Sequence, residues 1–110
     1  QFENNSINIL SKSIGTFVLM KLLALGFAPT KFILCGVPLK VIKEKGVEQD
    51  YQILSKNIPK LVIQNTQDPL GSFTEVSEFI RGINPKITVI SKEADHHSYP
   101  YPDEFNKYLV

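Results

Sequence analysis

One cysteine, little net charge and no long apolar run narrow the reading before any motif does. Cys35 has no partner within the chain, so an intrachain disulfide framework is excluded. A lone thiol inside the apolar run FILC fits a small core residue in a reducing, cytoplasmic compartment. Twelve Lys and Arg stand against eleven Asp and Glu, so no basic or acidic field points to a nucleic-acid or membrane-surface partner. The longest apolar stretch, residues 17–25, is broken by Lys21 and is far short of the roughly 20 residues that span a bilayer. Internal repeats, linkers and low-complexity tracts are absent too. Residue 1 is Gln, and no charged segment followed by an apolar core and cleavage site opens the chain, which implies that the chain does not begin where its gene does. With 110 residues, it suffices for one small domain, or part of one.

What the chain does have is a repeated theme of short apolar runs followed by segments with helical spacing. The runs are residues 7–10 (INIL), 31–35 (KFILC), 60–64 (KLVIQ) and 86–90 (KITVI). Continuous apolar runs of this length suit strands covered on both faces, as in a parallel sheet between helical layers. Residues 14–26 read as a buried helix that Gly26 and Pro29 end. Residues 37–57 are more polar, with a modest helix over 48–55 after the break at Gly46. A stripe of Phe73, Val76, Phe79 and Ile80 predicts a helix over 73–81, stopped by Gly82. Pro102 opens a last helix that buries Phe105, Tyr108 and Leu109. The alternation predicts a three-layer α/β/α fold with a parallel sheet of about four strands.

In such sheets chemistry gathers beyond the carboxyl ends of the strands. After the first run comes Ser11-Lys12-Ser13-Ile14-Gly15, after the second Gly36-Val37-Pro38, after the third NTQDPLGS with Asp68, and after the fourth SKEADHHSYPYP with His96 and His97. Taken singly, Ser13 is a helix N-cap, Asp68 before Pro69 a turn residue, and the histidines solvated. Lys12 is exposed, and Tyr99 and Tyr101 pack at the mouth of the last loop. Laid over the phosphate loop GxxxxGK[ST], Ser6 and Ser11 occupy both glycine positions and the strand INIL would have to form the loop, which argues against nucleotide binding. No Cys or acid cluster at zinc-ligand spacing accompanies the histidines.

Taken together, the three loops carry Ser, Asp and His in the order of the α/β-hydrolase family, and S-x-S-x-G resembles that family's G-x-S-x-G nucleophile elbow. Ser11 stands where the family has its leading glycine. Asp68, introduced by a strand after Pro59 and followed by a helix, is similar to the family's acid loop, and the histidine segment to its histidine loop. The resemblance implies Ser13 as nucleophile, His97 as base with His96 as the alternative, Asp68 as the group that orients the imidazole, and the Ile14 backbone N–H as one oxyanion donor. It implies hydrolysis of a carboxylic ester, thioester or small amide through an acyl-enzyme, with no cofactor or metal. The alternative is a non-catalytic hydrolase-like binding module or inactive fragment. The resemblance covers essentially the whole chain but only the C-terminal half of the family's fold. It therefore implies a fragment of a longer protein, with the second oxyanion donor outside this chain and an apolar edge on the first strand.

Overall fold

Four short strands lie side by side in chain order: β1 (Asn8–Lys12), β2 (Lys31–Cys35), β3 (Lys60–Asn65) and β4 (Thr88–Lys92), all parallel. The computed structural model describes residues 7–110. Between the strands run α1 (Gly15–Ala24), α2 (Leu39–Lys45) with a 3-10 helix (Glu48–Ser55), and α3 (Phe73–Ile83); α4 (Pro102–Leu109) follows β4.

Every crossover steps in the same direction, and crossovers of one hand then place their helices on one face of the sheet. Phe32, Leu34 and Val62 point to that face and meet Leu19, Met20 and Leu23 of α1, Ile42 of α2, Tyr51 and Leu54 of the 3-10 helix, and Val76 and Ile80 of α3. Alternate residues Ile33, Cys35, Leu61 and Ile63 point to the other face, where Tyr99 and the half-buried Phe105, Tyr108 and Leu109 cover them. Burial on both sides is the reason the two central strands, β2 and β3, show no polar alternation; β1 and β4, at the sheet edges, are more exposed. Among the described residues no helix is long and apolar enough to cross a membrane.

Boundaries differ from the sequence reading where backbone pairing overrides side-chain pattern. Ser11 and Lys12 continue β1, in register with Leu34 and Cys35. The strand after Lys86 starts at Thr88 and runs to Lys92. Helix α2 was not foreseen: it is short, and left-handed Gly46 (φ 64°) closes it. Residues 48–55 form a 3-10 helix. Gly82 does not stop α3, which a Ser72/Glu75 capping box opens and Asn84 ends. No residue of α4 is fully buried: among the described residues it is the one helix on its face of the sheet, which it covers together with Tyr99.

Candidate active site

Ser13 occupies the turn between β1 and α1 with φ 49°, the one non-glycine residue in the left-handed region among those described. An L-residue pays roughly 1–2 kcal/mol for that conformation, so the surroundings must hold it. They do so from both sides. Its N–H donates to the Cys35 carbonyl at 2.9 Å. Its carbonyl accepts from the Thr16 N–H at 2.9 Å and the Thr16 hydroxyl at 2.8 Å. Because that hydroxyl's proton is thus engaged, Tyr51 donates to Thr16 Oγ1 across the buried 2.6 Å contact behind it. The turn is tight: a Cβ on Gly15 would stand 3.3 Å from Ser11 Oγ. A side chain at 15 would thus press on Ser11, and both positions hold small residues.

Ser13 does not cap α1: the N-cap position is Ile14, and Ser13 precedes it in the left-handed region rather than in the extended conformation of a capping residue. That removes the plain reading of its hydroxyl. The Ile14 N–H, at the exposed start of the helix, has no backbone acceptor among the described residues, as an oxyanion donor requires. Lys12 is exposed. Of the positions in the phosphate-loop overlay, Ser6 lies outside the described residues.

Asp68 is buried, 5 % exposed, in the turn after β3. Its Oδ1 accepts from the Leu70 N–H at 2.9 Å, and its Oδ2 accepts from the Tyr99 hydroxyl at 2.6 Å. The same hydroxyl accepts from the Asn65 N–H at 2.9 Å. Burial and the neighbouring Asp68 push the Tyr99 phenol well above its usual range, so it remains a donor. The ring fits against Gly36, where a Cβ would come within 2.6 Å of it; that glycine is left-handed, φ 63°.

His96 and His97 are exposed. The Nδ1 of His96 accepts from the Ser98 N–H at 3.2 Å. Among the described residues no hydrogen bond joins either imidazole to Asp68 or Ser13: Tyr99 takes the place on Asp68 that a triad gives to the base. The three residue types thus share the carboxyl end of one sheet without forming a linked triad. β1 and β4 are separated by two strands, about 14 Å at normal sheet spacing. The chain does turn back across that distance, since Tyr99 reaches Gly36 beyond β2 and the Leu109 carbonyl accepts from Asn8 Nδ2 of β1.

Two polar side chains that end β3 organise these loops, and the sequence reading assigned neither a role. Asn65 is fully buried; its Nδ2 donates to the carbonyls of His96 and Ser98, and its Oδ1 accepts from Tyr101. Gln64, also fully buried, accepts from the Val37 N–H at 2.9 Å and donates to the Gly71 carbonyl at 2.7 Å. The signal available in sequence was the polar pair closing the apolar run KLVIQN. Tyr99 is buried in the loop rather than merely at its mouth. A cavity of about 670 Å³ between Lys56, Lys60 and Lys86 lies at the opposite end of the strands and is not lined by Ser13. No protein-family model, curated protein or solved structure matches the chain.

Proposed function

We propose that this chain carries the nucleophile half of an α/β-hydrolase-type serine hydrolase that cleaves a carboxylic ester, thioester or small amide. The observation that carries this reading is the left-handed backbone of Ser13, held at a strand-to-helix turn with small residues on either side. Strain on a serine there serves to project its Oγ clear of the backbone. In the reaction, Ser13 Oγ attacks the carbonyl, and the Ile14 N–H stabilises the oxyanion. An imidazole takes the Ser13 proton and returns it to the leaving group, and water then releases the acyl group. His97 is assigned as the base. His96 is the weaker choice, because its Nδ1, the nitrogen that should donate to the acid, here accepts a backbone N–H. Asp68 orients the imidazole, which requires that the loop over residues 93–101 shift so that His97 joins Tyr99 at the carboxylate or displaces it.

A second reading, a hydrolase-like module that binds without turnover, draws its support from the same contact: an Asp68 satisfied by Leu70 and Tyr99 serves structure without any imidazole. Short-chain nitrophenyl ester hydrolysis decides between them. The serine-hydrolase reading predicts turnover that Ser13→Ala lowers by roughly 10⁴-fold or more, and that His97→Ala abolishes while His96→Ala largely spares. Folded protein with no turnover above buffer, or with turnover indifferent to Ser13→Ala, would favour the binding module.

A further inference from the structure

The peptide between Ser13 and Ile14 carries two groups that bear on the proposed chemistry, the Ser13 carbonyl and the Ile14 N–H, on one rigid plane. A trans peptide points its C=O and its N–H in opposite directions, and no peptide bond among the described residues is cis. Whatever fixes the Ser13 carbonyl therefore aims the Ile14 N–H. Among the described residues Thr16 alone holds that carbonyl, through its N–H at 2.9 Å and its hydroxyl at 2.8 Å. The Ile14 N–H is turned the other way, at a half-exposed residue, and meets no backbone acceptor.

Behind Thr16 stands Tyr51. Both side chains are fully buried, and their hydroxyl oxygens are 2.6 Å apart, the one hydrogen bond of the Tyr51 phenol among the described residues. Were Thr16 to turn its proton toward Tyr51, the phenol proton would be buried with no acceptor, a costly arrangement. The phenol therefore donates, and burial, which pushes it well above its usual range, keeps the proton on it. With Oγ1 accepting from Tyr51, the Thr16 proton is left to the Ser13 carbonyl. The core does not need this polar pair for its packing. The Tyr51 ring meets Phe17 and Phe79 edge to face, with centroids 6.1 and 5.9 Å apart, contacts that phenylalanine would make equally well. Valine would fill the place of Thr16, and replacing both partners of a buried hydrogen bond by apolar groups of the same shape is close to neutral for stability. Only the polar pair puts a side-chain donor on the Ser13 carbonyl.

We infer that Thr16 and Tyr51 are positioning residues: Tyr51 donates to Thr16, Thr16 donates to the Ser13 carbonyl, and this relay locks the peptide that aims the Ile14 N–H at the oxyanion. The inference rests on the serine-hydrolase reading and adds to it a second segment of the chain. Tyr51 lies 35 residues beyond Thr16, on the 3-10 helix, whose Asp50 meets Lys21 of α1 at 3.1 Å.

Thr16→Val combined with Tyr51→Phe tests the inference, because the double variant removes the relay and keeps the shapes. It is expected to melt within about 3 °C of the wild-type chain. Reaction of Ser13 with a fluorophosphonate is expected to slow by at least about tenfold, part of the roughly 10²–10³-fold that losing an oxyanion donor costs. The order parameter of the Ile14 N–H, from NMR relaxation, is expected to fall from the roughly 0.85 of rigid backbone toward about 0.6. Thr16→Ser keeps the donor and is expected to retain most of the rate, which a role in packing alone does not predict. If the double variant fails to fold, Tyr51→Phe decides alone, with a several-fold slower reaction expected. A double variant that reacts at the wild-type rate, or whose Ile14 N–H is as rigid as in the wild-type chain, would overturn this inference and leave the serine-hydrolase reading standing. A folded wild-type chain that forms no adduct at Ser13 would overturn both.

Discussion

Replacing Tyr99 by Phe removes one oxygen and keeps the ring that fills the slot at Gly36. That oxygen accepts from the Asn65 N–H and donates to Asp68 Oδ2, both within the buried end of the sheet. Leaving the Asn65 N–H without a partner costs roughly 1–3 kcal/mol, and the lost bond to Asp68 adds about 1 kcal/mol because the Leu70 N–H still holds the other oxygen. The total of about 2–4 kcal/mol corresponds to a fall in Tm of roughly 8–16 °C for a domain of this size. Melting curves followed by circular dichroism at neutral pH measure it. The same change frees Asp68 Oδ2 for an imidazole, so ester turnover per folded molecule is predicted to hold or rise while stability drops. A loss of less than about 3 °C would refute the claim that this hydroxyl fastens the loop. A large fall in turnover per folded molecule would refute the claim that it competes with the base.

Gln64→Leu preserves volume but strands the Val37 N–H and the Gly71 carbonyl, and should cost roughly 2–5 kcal/mol in denaturant titration. Gly36→Ala forces a Cβ against Tyr99 at a left-handed position and should cost roughly 2–5 kcal/mol, with Tyr99→Ala relieving part of it in a double-mutant cycle. Alkaline stability provides a pH test. Burial pushes the Cys35 thiol from 9.0 up to about 12 and lifts Tyr51 and Tyr99 above their ordinary 10.0. The folded state keeps protons that the unfolded chain releases, so stability is full below about pH 9 and falls above it. The slope is about 1.4 kcal/mol per pH unit for each group, steepening once the tyrosines join, and Cys35→Ala should flatten the first part and make the later part less steep.

The central strands were legible because burial on both faces removes polar alternation, leaving runs such as KFILC that admit few other readings; the order of the strands across the sheet was not read from the sequence. Helix ends were less legible than the central strands. Gly82 looked like a stop, yet one exposed glycine costs only about 1 kcal/mol in a helix, and the Ser72/Glu75 box anchors α3 from its other end. The place of Ser13 at a strand-to-helix turn was legible through spacing, and Ser11 is a small residue beside Gly15. The Asp68–Tyr99 bond was not legible. It joins residues 31 apart in sequence, and no local pattern distinguishes an aspartate waiting for an imidazole from one already satisfied by a phenol. Asn65 was hidden for the same reason, since its partners lie in the loop after β4.

The central claim is that the strained turn makes Ser13 a nucleophile, and reaction of the folded chain with a fluorophosphonate, read by peptide mass spectrometry, tests it most directly. The account predicts one covalent adduct, located on Ser13 and absent from Ser13→Ala and from heat-unfolded protein. A folded chain that forms no adduct, or one whose adduct persists in Ser13→Ala, would contradict it.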